Sequence, residues 1–304
     1  LPLDTLLAHL PSQSSQTLLL HTTLSSSSTL VNTLVNSSAT DNFIEESLVT
    51  LAAMPQRLLL PNHLTLFNGS STSAGNITHY VQTTLTFANG QWQDPWLLMT
   101  HLHASTLLIL SLLWLCSTNP HINWQNLTLH FKCQTPEHLE PISFNVTTLA
   151  NTADHPHTPP QLCSNNSPQV LTALIDSGAT SIFVSDQLDL THDSLNRPLE
   201  LRLFDGKPTT IRPITKTHSS SIILKNSLQF PVNLLVMQLP ETTSIILGLS
   251  WLHNANPNID WKDLTMKFPG TGTCLAVAHL HLQPIDKPSE VRATSALTAP
   301  SDAS

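Results

Sequence analysis

The segment LIDSGAT at 174–180 sets one carboxylate, Asp176, directly after an apolar stretch, followed by Ser177, Gly178 and Ala179. Each residue type has a task there. A carboxylate can take a proton from water, a hydroxyl can tie down a loop, and a glycine allows a turn that a Cβ would obstruct. Asp-Ser-Gly alone is common in ordinary turns, so its weight depends on what accompanies it. Downstream, IILGLSWL places Gly248 behind large apolar residues, where the absent side chain lets one strand pass close behind another loop. Between them, Asp205-Gly206-Lys207 follows the apolar LELRLF, a hairpin signal because Asp and Gly both tolerate positive φ. The acids Asp186, Asp189 and Asp193 lie in loop-like stretches and read as turn or surface residues. His101 with His103, and His279 with His281, would each share one side of a strand. No third ligand is placed near either pair, so no metal or other cofactor is expected.

The stretches that must position these residues are short, apolar and rich in β-branched types: VLTALI, SIFV, LELRLF, SSSIIL, FPVNLLVM and TSIILGL. Lengths of four to eight residues with turn signals between them predict strands, and LSWLHNAN, stopped by Pro257, predicts a short helix. The same pattern occurs twice. NPHINWQNLTLHF at 119–131 and NPNIDWKDLTMKF at 256–268 agree at seven of thirteen positions. In the same order, ILSLLWL (109–115) matches ILGLSWL (246–252), LTLFNG (64–69) matches LRLFDG (201–206), and LVNSSAT (34–40) matches LIDSGAT. Chance does not preserve the order of four segments, so the chain reads as two copies of one all-β unit at 30–133 and 170–270. Residues 1–29 carry no pattern, the Pro/Thr/Asn-rich 134–169 reads as a linker, and 271–304 reads as a tail, partly disordered by composition.

Taken together, LIDSGAT, the LFDG hairpin and IILGLSWLHNANPNIDW resemble the retropepsin-like aspartic proteases of gypsy-type long-terminal-repeat retrotransposons. The resemblance implies a closed, barrel-like all-β acid protease domain with one short helix, present in tandem. It implies Asp176 as the catalytic acid of a polyprotein-processing endopeptidase. Ser177, Gly178, Ala179 and Gly248 would support the active-site loop, and the hairpin at Asp205, Gly206 and Lys207 would serve as a flap over a peptide substrate. It also implies an aspartate dyad, because one carboxylate cannot both activate water and protonate the leaving amine. The second acid would come from Asp176 of another chain in a homodimer.

The first unit cannot supply that acid. Asn36, Ser38, Asn68, Ser111, Asn123 and Asn126 stand where the second unit has Asp176, Gly178, Asp205, Gly248, Asp260 and Asp263. Every one of these differences can arise from a single G-to-A change, and sixteen His against twelve Lys plus Arg fits the same bias. The uniformity reads as mutational decay of a duplicated element, with damage dispersed enough to burden the first unit's core. The alternative function is therefore a catalytically inactive remnant that dimerises or binds peptide.

Composition narrows the remaining classes. With 20 acids against 12 bases and a net charge of −8, the chain has no basic block to neutralise phosphates, so nucleic acid is not an expected partner. The apolar run TLLILSLLWLC at 106–116 is too short for a membrane span. Cys116, Cys133, Cys163 and Cys274 form no zinc or redox spacing and fit a reducing, cytoplasmic location. Leucine at position 1 fits a fragment or a processed product. Trp114, Trp124, Trp251 and Trp261 read as core residues.

Overall fold

The computed structural model describes residues 17–131 except 27 and 66–70, and residues 161–269 except 165–166, 172, 203–211 and 225–227, together with the strands at 7–8 and 274–276. The proposed hairpin tips at Asn68-Gly69 and at Asp205-Gly206-Lys207 therefore lie outside the described residues, as do His279, His281 and most of the stretches read as linker and tail.

Strands dominate both halves, as the short β-branched runs predict, and the halves share one topology. In the first, Leu30–Val35 runs parallel to Leu108–Leu110, which is antiparallel to Phe43–Glu45, which in turn is parallel to Trp96–Thr100. In the second, Ala173–Ile175, Ile245–Leu247, Ile182–Ser185 and Gln229–Met237 repeat that sequence of pairings. The registers coincide as well. Phe43 sits opposite Leu98 and Ile109, and Phe183 sits opposite Leu235 and Ile246. The chain is an all-β protein of two tandem, equivalent halves.

Pairing reaches past the stretches in which the repeat is visible. Leu19–Leu24, where the sequence carries no pattern, pairs with Leu30–Val35, and Gln161–Ser164, within the stretch read as linker, joins the second sheet beside Ile214–Ile223. Among the described residues three helices punctuate the strands: α1 (Glu46–Leu51), α2 (Leu112–Thr118) and α3 (Leu249–Ala255). The last two are the expected short helix of each unit. The first, capped by the Glu45 carboxylate accepting from Ser47 N, gives the first half a second helix that its sequence pattern does not announce. Among the described residues no helix is long and apolar enough to cross a membrane.

The core decides how the halves sit. Leu34, Ala39, Phe43, Leu59, Tyr80, Leu98 and Ile109 form one cluster beneath the first hairpin, and Ala179, Phe183, Leu199, Leu201, Ile214, Leu235 and Ile246 form its counterpart beneath the second. A third cluster is common to both halves and contains Val35, Leu110, Trp114 and Trp124 together with Leu247, Trp251 and Trp261. The four tryptophans are core residues, as expected. Trp114 meets Phe131 edge-on at 6.1 Å, and Trp251 meets Phe268 in the same way at 6.2 Å. The first half buries Val35, Phe43, Ile109 and Leu110 as the second buries Phe183, Ile246 and Leu247. Among the described substitutions, Asn36, Ser38, Ser111 and Asn126 fall outside the strands, and Asn123 ends the strand His121–Asn123.

The halves are clasped at one end. Helices α2 and α3 stop at Asn119 and Asn256, each in the left-handed region with φ near 42° and 40°, and each followed by proline. Asn256 Oδ1 accepts from Trp124 N and Asn119 Oδ1 accepts from Trp261 N, both at 2.9 Å, while the two indoles meet edge-on at 6.4 Å. Each helix therefore ends on a side chain that binds the other half. We expect Asn256→Ala to lower stability by about 2 kcal/mol, since it strains the left-handed residue and orphans a buried amide. Asn256→Gly, which relieves the strain but not the lost bond, should recover part of it. Denaturant melts that showed both variants unchanged would make the clasp incidental.

Candidate functional site

Each half presents one loop at the end of its parallel strand pair. Asp176 follows Ala173–Ile175, and its amide donates to Leu247 O at 3.1 Å. Asn36 follows Leu30–Val35, and its amide donates to Leu110 O at 2.9 Å. Both residues are completely buried. The loops meet through their next residues. Ser37 Oγ donates to Ile175 O at 2.9 Å and accepts from Ser177 N at 3.0 Å; Ser177 Oγ donates to Val35 O at 2.9 Å and accepts from Ser37 N at 3.0 Å. Four reciprocal bonds tie the two loops back to back, so Asn36 takes the place opposite Asp176 within one chain. The surface through which two second units would join is here occupied by the first.

The glycines explain how closely the loops approach. A Cβ on Gly178 would stand 2.8 Å from Cγ of Asn36, so the amide lies directly against the glycine of the opposite loop. A Cβ on Gly248 would stand 2.1 Å from Ser181 O and 2.7 Å from Ala179 O, contacts no side chain can make. Ala179 is fully buried in the cluster beneath the second hairpin, and its carbonyl accepts from Leu249 N at 2.7 Å, which fastens the Asp176 loop to the start of α3. Ser177, Gly178, Ala179 and Gly248 are thus gathered around Asp176.

In the first half, Ser111 replaces that glycine and is nevertheless buried and bonded. Its amide and hydroxyl both donate to Asn42 Oδ1, at 2.9 and 3.1 Å, and the hydroxyl caps α2 by accepting from Trp114 N at 3.4 Å. Asn42 is the residue that sequence reasoning passed over. It stands where the second half has the apolar Ile182, and the polar residue at a strand entrance was the available signal.

The two facing side chains differ in chemistry. Asp176 Oδ1 accepts from Gly178 N at 2.8 Å and Ala179 N at 3.2 Å. Burial drives its pKa from 3.8 up to about 7, against the opposing pull of the Ser38 hydroxyl and of those two amides. Ser38 Oγ donates to Asn36 Oδ1 at 2.8 Å and also draws the pKa of the Asp176 carboxyl downward, while Asp176 Oδ2 is buried. Asn36 Oδ1 also accepts from Ser38 N at 2.9 Å. An amide can neither hold nor surrender a proton in this range, so the pair contains one titrating group. Asp41, beside the first loop, is likewise raised by burial, with Thr40 Oγ1 donating to its Oδ2 at 3.0 Å.

The remaining sequence candidates lie elsewhere. Asp186, Asp189 and Asp193 are exposed. His101 approaches Glu45 at 3.9 Å and Glu46 at 3.6 Å, and among the described residues no group of His, Cys, Asp and Glu is arranged to hold a metal ion.

Two equivalent β-halves that bring paired Asx-Ser loops together, each seated on the turn before a short helix, define the aspartic protease class. The family model of the PEG10/RTL1 protease domain matches residues 32–138 and again residues 172–277, so both halves carry it. The chain belongs to that family of retrotransposon-derived, gypsy-type aspartic proteases. No curated protein matches the chain.

The raised carboxyl makes stability depend on pH. Between about pH 4 and pH 7 the folded chain keeps a proton on Asp176 that the unfolded chain releases, so this group lowers stability as pH rises through that window and costs nothing further above it. Asp176→Asn should therefore match the unchanged chain near pH 4 and exceed it at pH 8 by up to about 4 kcal/mol, with Asp41 leaving a smaller slope of the same sign. Denaturant midpoints for both proteins across pH 4–8 measure this; a constant difference would place the titration elsewhere.

Proposed function

We propose that the chain is a single-chain aspartic protease fold that holds extended peptides at a site with one acid, and that hydrolysis by this form is blocked at the proton-transfer step. The observation that carries this is the Asn36 amide opposite Asp176, fixed there by the Ser37–Ser177 bonds. In a dyad one carboxylate takes a proton from water while its partner gives one to the leaving amine, and two carboxyls at close range share a proton so that both forms are present together. Asp176 can fill either role but has no titrating partner to fill the other. The loop supports Ser177, Gly178, Ala179 and Gly248 hold it in place, and the hairpin carrying Asp205, Gly206 and Lys207 would close over a bound peptide.

The homodimeric endopeptidase, with Asp176 from each of two chains, is supported by the intact second loop. It requires that the four serine bonds to the first half be broken and remade between chains. The two readings separate cleanly in one assay. The unchanged chain should show no cleavage of a peptide library in mild acid, and Asn36→Asp with Ser38→Gly should gain it, with specific activity independent of dilution. Adding Asp176→Asn to that variant should abolish the gain. Cleavage by the unchanged chain that rises with its concentration would instead establish the dimeric enzyme.

A further inference from the structure

Among the described residues the arms of the two hairpins pair differently. In the first half the arms Arg57–Thr65 and Ser71–Gln82 pair with each other from Arg57 opposite Tyr80 up to Thr65 opposite Ser71. In the second, the arm Asp193–Leu199 pairs with Ile214–Ile223, and among the described residues that pairing ends at Leu199 opposite Ile214. The next strand, Leu201–Arg202, pairs instead with Leu7–Ala8 from the far end of the chain, antiparallel, with Leu7 opposite Arg202 and Ala8 opposite Leu201. This edge belongs to the neighbourhood of the site. Leu201 is buried in the cluster that also contains Ala179, the residue whose carbonyl fastens the Asp176 loop.

We infer that Leu7–Ala8 is a strand supplied in cis to the peptide-binding edge at Leu201–Arg202, where it competes with peptides that would add there in trans. The inference rests on the peptide-binding reading above and gives it a ligand class: leucine-rich segments in extended conformation. An exposed strand edge recognises a peptide through main-chain N–H and C=O groups, so any extended chain can pair, and neighbouring pockets choose among side chains. The sequence around the paired strand supplies the probe. LPLDTLLAHLPS at 1–12 has leucine at 1, 3, 6, 7 and 10, a single acid at Asp4, and prolines at 2 and 11 that disfavour a helix. Tethering raises the local concentration of this strand far above that of a free peptide, so a weak pairing suffices to block the edge.

The test uses the full chain and the variant Leu7→Pro/Ala8→Pro, which removes both strand donors while leaving all residues of the site in place. Hydrogen exchange at Leu201 and Arg202 should be faster in the variant. A synthetic LPLDTLLAHLPS peptide should restore protection and bind the variant at least about tenfold more tightly than it binds the unchanged chain, by fluorescence anisotropy. Unaltered exchange at Leu201 and Arg202, or equal peptide affinity for the two chains, overturns the inference. Faster exchange in a variant that binds neither this peptide nor any from a random extended library overturns the peptide-binding function while leaving the cis strand established.

Discussion

The reciprocal bonding of Ser37 and Ser177 is the constraint on which the site depends. Each hydroxyl donates to a strand carbonyl of the opposite half and accepts from the backbone amide of the opposite serine, so the loops can meet only in one register. These groups are buried, where an unpaired N–H or C=O would cost about 1–3 kcal/mol, and any slip of one loop would orphan several at once. The far end is held by the same kind of exchange, with Asn119 and Asn256 each accepting from a tryptophan amide across the boundary. Between these two anchors runs the apolar cluster common to both halves, so the pairing has a hydrophobic interior as well as polar fastenings.

A symmetric frame here encloses asymmetric chemistry. Asn and Asp have nearly the same shape, and both can accept the amides of their own loop, as Asn36 does from Ser38 and Asp176 does from Gly178. Replacing one with the other leaves the loop geometry intact while removing the property that the dyad needs, a second carboxyl able to take or give the shared proton. The carboxyl that remains is buried, and burial leads the forces on its pKa. A dyad would share that burden between two groups and one proton.

The first half also shows how substitution is absorbed. In the second half a Cβ at Gly248 would strike two carbonyls, and yet Ser111 occupies the equivalent place without an unpaired hydroxyl, because Asn42 supplies an acceptor where the other half has isoleucine. Ser111 then caps α2, a bond that Gly248 cannot offer to α3. The changes therefore fall on chemistry and on local hydrogen bonding, while both halves keep a buried strand core and the edge-on contact of a tryptophan with a phenylalanine.

The order of four matching segments was enough to read two all-β units, and the identity of Asp176, Gly178 and Gly248 was enough to read which loop carries an acid and which backbone must pass close by. Those features are local: periodicity, turn residues and the absence of a Cβ act over a few positions in the chain. Strands such as Leu19–Leu24 and Gln161–Ser164 were not legible, because their place is fixed by the sheet they join and not by any pattern of their own. Nor could sequence decide the partner of Asp176. Two loops with the same Ser can pair within a chain or between chains, and the choice depends on burial shared by residues some 140 positions apart: Ser37 with Ser177, Asn119 with Trp261, Trp124 with Asn256. Only the folded chain brings those groups together, and in doing so it sets the amide of Asn36 against the loop of the one acid.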